Sequence, residues 1–91
     1  MENATPSSAE IKVWSQKHIG EVLDVPKEKV DPKAEFDRLG LDSTSLMSYL
    51  MTLEEWLHIE LVPDIFFTYT TIEGLSEHLA SRLSVHQGDL S

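Results

Sequence analysis

Ser43-Thr44-Ser45-Leu46-Met47-Ser48-Tyr49-Leu50-Met51-Thr52-Leu53-Glu54-Glu55-Trp56-Leu57-His58 is the stretch on which the fold turns. Leu46, Tyr49, Leu50, Leu53, Trp56 and Leu57 recur at helical spacing, so they share one face of a helix and that face must be buried. A single amphipathic helix has nothing to bury against, so its partners must lie on either side. Upstream, Ser7-Ser8-Ala9-Glu10 has the form of a capping box and opens a helix. That helix places Ile11, Trp14, His18, Val22 and Val25 in one arc flanked by Ile19 and Leu23, and Pro26 stops it. Downstream, Thr70-Thr71-Ile72-Glu73 repeats the capping pattern before a helix with Ile72, Leu75, Leu79 and Leu83 inward.

Two connections complete the chain. Lys27 to Asp42 is long, punctuated by Pro32 and Gly40 and anchored by Val30, Phe36, Leu39 and Leu41. Pro63 to Tyr69 is short, apolar and aromatic, and reads as one or two helical turns. Nothing alternates at period two for long enough to build a sheet. The expected fold is all-α: a small four-helix bundle of three principal helices and one short helix, with a long first connection. Residues 1–7 read as a flexible leader, 8–83 as the folded domain and 84–91 as a flexible polar tail.

The 91 residues carry 16 acids against 7 Lys and Arg, a net charge of −9. The excess is uneven: residues 1–38 hold 8 acids and 6 bases, whereas residues 39–91 hold 8 acids and Arg82 alone. Such a surface repels nucleic acid and anionic membranes. No apolar run reaches the ~20 residues of a membrane span. The absence of cysteine removes a disulfide framework, a thiolate metal site and a cysteine nucleophile, and suits a cytoplasmic protein. With no heptad seam, a monomer is expected.

Catalytic machinery is hard to assemble from this chain. His18, His58, His78 and His86 show no paired spacing for a metal, with His58 and His78 reading as solvated and His18 as flanking the core. Glu54 and Glu55 are helix neighbours about 100° apart, so they cannot flank one bond. The chain has only 4 glycines and no phosphate-binding glycine loop. What stands out is Phe36-Asp37-Arg38-Leu39-Gly40-Leu41-Asp42-Ser43, where a glycine turn delivers Asp-Ser to a helix start. One reading is a plain helix cap. The other is a serine bearing a phosphate ester, favoured by the orphan amides and positive dipole end of the first turn. Helix physics leaves both open.

Leu39-Gly40-Leu41-Asp42-Ser43, Leu53-Glu54-Glu55-Trp56-Leu57 and Thr71-Ile72-Glu73-Gly74-Leu75, with His78-Leu79 after it, together resemble an acyl carrier protein domain of the polyketide-synthase type. The resemblance covers Ile11 to Leu83. It implies a 4′-phosphopantetheine arm on Ser43, beside Asp42, transferred from coenzyme A by a phosphopantetheinyl transferase. Acyl intermediates are then held as thioesters and delivered to partner enzymes in polyketide or mixed polyketide–nonribosomal peptide biosynthesis, the domain itself being non-catalytic. Expected partners are polyketide synthase enzymes or an acyl-adenylate ligase presenting basic patches. They would dock on the strip holding Ser43, Met47, Met51, Glu54 and Glu55, with Thr44 and Ser48 beside it. The chain departs from the family pattern at Thr44, Ser48 and Thr70, usually an aliphatic, a glutamate and a proline. Two alternatives stand: a peptidyl carrier domain, which typically has a second glycine where Leu41 stands, and an unmodified acidic helical adaptor.

Overall fold

The computed structural model describes the backbone of residues 6–89 and the side chains of residues 6–83. Four α-helices follow in order: α1 (Ser8–Leu23), α2 (Ser43–Leu57), α3 (Ile65–Thr68) and α4 (Ile72–Asp89), with a 3-10 turn at Lys27–Lys29. Among the described residues the only β pairing is an isolated bridge between Glu35 and Thr71. The all-α bundle with a long first connection is the observed architecture.

Local chemistry sets the helix ends. Ser7 caps α1: its hydroxyl accepts from the Glu10 N–H at 3.1 Å, while the Glu10 carboxylate accepts from the Ser7 N–H at 2.8 Å. The helix stops at Leu23, before Pro26, because Asp24 turns left-handed at φ 62 and its N–H bonds back to Glu21 and Gly20. That early stop corrects the expected arc: Val22 and Val25 are exposed. The buried line is instead Ile11, Ser15 and Ile19, with Trp14, His18 and Leu23 half-buried beside it. Ser15 displaces the stripe because its hydroxyl takes the buried Tyr49 O–H at 2.6 Å, a partner no apolar pattern reveals.

The start of α4 needs a second correction. Thr71, not Thr70, is the cap, accepting from the Gly74 N–H at 3.0 Å. Glycine then stands where the reciprocal glutamate would be, so only half of a capping box forms. The Glu73 N–H instead donates to the Pro32 carbonyl at 2.9 Å, which ties the long connection to α4. The α4 backbone also runs past Leu83 to Asp89, through most of the expected tail, since no breaker stands before Gly88. Residues 1–5 of the expected leader, and 90 and 91 of the tail, lie outside the described residues.

The core gathers Ile11 and Ile19 from α1, Val30, Phe36 and Leu41 from the connection, Tyr49, Leu50, Leu53 and Leu57 from α2, and Ile72, Leu75, Leu79 and Leu83 from α4. α1 packs chiefly against α4 and against the 3-10 turn. That close approach explains Gly20: a Cβ there would stand 2.8 Å from the Val25 carbonyl oxygen and 3.4 Å from the Lys27 Cα, both backbone. Gly20→Ala, which in an open helix gains up to about 1 kcal/mol, is therefore expected to lose roughly 1–3 kcal/mol through overpacking. A urea midpoint at or above that of the unaltered protein would contradict this contact.

An aromatic stack bridges α1 and α2. Trp14 lies 4.8 Å from Trp56 and 5.3 Å from His18, and His18 lies 5.8 Å from Tyr49. Among the described residues His18 Nε2 is buried without a partner. Desolvation pulls its pKa below 6.5, partly countered by Glu21. The unfolded chain therefore binds more protons just below pH 6.5, so this group's contribution to stability falls as pH drops through that window. His78 is also half-buried rather than solvated: it stacks on Tyr69 at 4.2 Å, and its pKa is shifted downward by desolvation and Arg82. His18→Phe should lose less stability than the parent between pH 7.5 and 5.5. Equal losses in urea titrations would remove His18 from the account.

Candidate functional site

The connection delivers its end to α2 through a turn that needs glycine. Gly40 sits at φ +89, where an L-residue is strained by about 1–2 kcal/mol. Leu41 next buries its side chain and pins the strand of chain before the helix. Asp42 is the N-cap of α2, its carboxylate accepting from the Ser45 N–H at 2.8 Å. That bond, which only the ionised carboxylate makes well, holds the Asp42 carboxyl below its usual pKa.

Ser43 is therefore the first residue of α2, and its side chain is exposed. In an α-helix the first amides lack intrahelical acceptors. Asp42 takes the one at Ser45, leaving those of Ser43 and Thr44 to face outward at the positive end of the helix. A phosphate ester on Ser43 Oγ fits here: the oxygen is accessible and two orphan donors are adjacent. No Lys or Arg occurs from Leu39 to Ser81 to compete for or clamp the phosphate.

The expected docking residues divide by their surroundings. Thr44, Ser48 and Glu55 are exposed, as are Met47 at 40% and Met51 at 57%. The methionines are thus surface groups rather than core fillers. Glu54 differs: half-buried, it accepts from the Leu61 N–H at 2.8 Å and so fastens the loop after α2.

Two further features escaped the sequence pattern. α3 is a single turn, so Phe66 and Phe67 cannot both face inward, and Phe67 is left 83% exposed. Beside it lies a pocket of about 250 Å³, walled by Phe36, Leu46, Phe66 and Phe67 with Glu35, Asp37 and Thr70. Leu46 stands three residues after Ser43, so one wall of the pocket lies one helical turn from the serine. The adjacent Phe66-Phe67 pair on so short a segment was the available signal. Among the described residues no group of three or more His, Asp or Glu is arranged to hold a metal ion, and no helix is long and apolar enough to cross a membrane.

The fold is a short helical bundle that presents an exposed serine directly after an Asp cap, at the first position of α2. The chain belongs to the family described as "Phosphopantetheine attachment site", which matches over residues 16–79 and so includes Ser43. Members of that family bear covalently attached 4′-phosphopantetheine. Polyketide synthase PksM of Bacillus subtilis (strain 168) is 31% identical over 78 residues, which cover 86% of this chain and 2% of that protein. The chain thus spans only a few per cent at most of the first polyketide synthases it matches. Among solved structures, an acyl carrier protein from Anabaena sp. PCC 7120, with a variant phosphopantetheinylation-site sequence, superposes at TM-score 0.81 with 32% identity, covering 91% of this chain and 96% of that one. A free-standing peptidyl carrier protein from Acinetobacter baumannii superposes at TM-score 0.80 with 31% identity, covering 85% of this chain and 96% of that one. The domain is a phosphopantetheine-attachment carrier domain whose sequence is similar to polyketide synthases and whose fold is that of acyl and peptidyl carrier proteins.

Proposed function

We propose that Ser43 Oγ is the attachment point and that the domain shuttles acyl groups between the enzymes of a polyketide or mixed polyketide–peptide pathway without catalysing any step itself. When attached, the arm's terminal thiol supplies the thioester that holds the acyl group. The chain's own part begins with Asp42, which fixes the first turn so that the Ser43 hydroxyl stands free. A phosphopantetheinyl transferase joins Ser43 Oγ to the pantetheine-side phosphorus of coenzyme A as the phosphoanhydride bond breaks, adenosine 3′,5′-bisphosphate leaves and the serine proton is lost. The orphan amides of Ser43 and Thr44 then face the new phosphodiester. One observation carries this reading: the exposed serine at the first position of α2 lies inside the family match. A peptidyl cargo is compatible with the fold, but the polyketide synthases among the relatives favour an acyl one. A chain without cysteine suits the same reading in the cytoplasm.

The decisive measurement is the intact mass after incubation with coenzyme A and a promiscuous transferase. The expected result is a gain of one phosphopantetheine. No gain with several transferases would sink the proposal and leave the acidic adaptor.

Partner docking rests in this reading on Met47 and Met51 as adaptable apolar contacts and on Glu55 as the acid offered to basic patches. Glu54 contributes less, with one carboxylate oxygen committed to Leu61. Glu55→Lys is expected to slow loading several-fold at low salt, with the difference shrinking as salt rises. Glu54→Lys should also lower thermal stability, because the loop loses its anchor. Equal loading rates for Glu55→Lys and the parent at low salt would remove that residue from recognition.

A further inference from the structure

We infer that Met47 and Met51 are a paired oxidation site: peroxide converts them to sulfoxides, which weakens docking of a phosphopantetheinyl transferase on α2 and leaves the fold and the Ser43 hydroxyl intact. The inference rests on the carrier reading and adds a means of regulating it. Position comes first. Ser43, Met47, Met51 and Glu55 follow one another at intervals of four along α2, and all four are exposed, Met47 at 40% and Met51 at 57%. Residues four apart on a helix have Cβ atoms ~5–6 Å from each other, so these side chains form one ridge that begins at the serine. The packing of the helix is carried instead by Tyr49, Leu50, Leu53 and Leu57.

Chemistry supplies the switch. With Met1, these two residues hold all of the sulfur in a chain without cysteine. An exposed thioether is therefore the softest nucleophile that the unmodified protein offers to hydrogen peroxide. The sulfur lone pair attacks one peroxide oxygen and an S–O bond forms as the O–O bond breaks. The proton on the transferred oxygen passes to the departing hydroxide, which leaves as water. Sulfur is oxidised by two electrons and the peroxide is reduced by two. A methionine sulfoxide reductase with a dithiol reverses the step, the dithiol becoming a disulfide and the oxygen leaving as water. The sulfoxide is polar where the thioether was apolar and adaptable. A partner closing over the ridge must then strip water from two new S–O dipoles or give up the contact.

The test uses the whole chain before the arm is attached, so that no pantetheine thiol competes for oxidant. Protein is treated with hydrogen peroxide, the excess is destroyed with catalase, and tryptic peptides are mapped. Because no Lys or Arg lies between Leu39 and Ser81, Met47 and Met51 fall in one peptide, separate from Met1. That peptide should gain two oxygens, and the thermal midpoint should stay within a few degrees of the untreated protein. Uptake of phosphopantetheine from coenzyme A should slow several-fold, and reductase with dithiothreitol should restore it. In Met47→Leu combined with Met51→Leu, whatever its starting rate, peroxide should cause no further loss. Four results overturn the switch while leaving attachment at Ser43 intact: no oxygen on the peptide, oxygen with unchanged loading, loss of helical circular dichroism on oxidation, or an equal loss in the double variant. Removal of the oxygens without recovery of the rate overturns it too. An untreated protein that gains no mass overturns the carrier reading and this inference with it.

Discussion

Ser43→Ala is expected to take up no phosphopantetheine at all, although Thr44 and Ser45 offer two further hydroxyls within the same turn. Geometry separates the three. Asp42 holds the Ser45 N–H and so fixes that residue inside the capped turn, where it is half-buried. Thr44 is exposed, but it lies about 100° further around the helix and carries a branched Cβ. A transferase aligned on Ser43 Oγ would have to rotate the whole domain to reach either. The loss is therefore all or none, read as a missing mass increment. Far-ultraviolet circular dichroism and thermal midpoint should stay close to those of the parent, since the removed oxygen is exposed and the cap belongs to Asp42. Mass gain on Ser43→Ala, traced by peptide mapping to Thr44 or Ser45, would move the attachment point.

The largest stability effect is expected at Leu53. It is fully buried at the middle of α2's inner face, between Leu50 and Leu57. Truncating such a leucine removes its transfer energy and leaves a cavity, about 2–5 kcal/mol in comparable cores. A domain of this size has only roughly 5–15 kcal/mol in total. At about 4–8 °C per kcal/mol, Leu53→Ala should lower the thermal midpoint by on the order of 10–30 °C. Met51→Ala, two residues away but 57% exposed, should stay within about 0.5 kcal/mol of the parent. In the cold, where the Leu53 variant remains folded, Ser43 should still load, because the capped turn forms locally. A drop of only a degree or two would mean that Leu53 does not fill the core as its full burial requires. The two variants together separate the site from the scaffold: one abolishes loading without unfolding, the other weakens the fold without touching the hydroxyl.

The local signals of α2 agree with one another. The apolar face, the Asp cap and the glycine turn all point to one helix starting at one residue. Where a signal stood alone it misled. Apolar spacing predicts the inner face of the first helix without Ser15, but Ser15 belongs to the buried line because Tyr49 on another helix supplies its hydrogen bond. The sequence pattern makes Thr70 the first half of a capping box, but the cap is Thr71, one residue later, and the Glu73 N–H bonds to Pro32 instead. Charge alone groups Glu54 with Glu55, yet the Glu54 carboxylate turns to the Leu61 N–H.

By itself, then, the sequence determined the helices, the cap and the serine at the head of α2, since these depend on periodicity and on contacts three or four residues apart. It also determined the base-free span from Leu39 to Ser81 that surrounds that serine in the chain. Which side chains of the strip are free, and what stands beside Ser43, depend on how distant segments pack. The pocket of Phe36, Leu46, Phe66 and Phe67 draws on three separate segments, and Glu35 reaches its edge through a single bridge to Thr71. Such juxtapositions arise when distant segments share one core, and no local pattern encodes them.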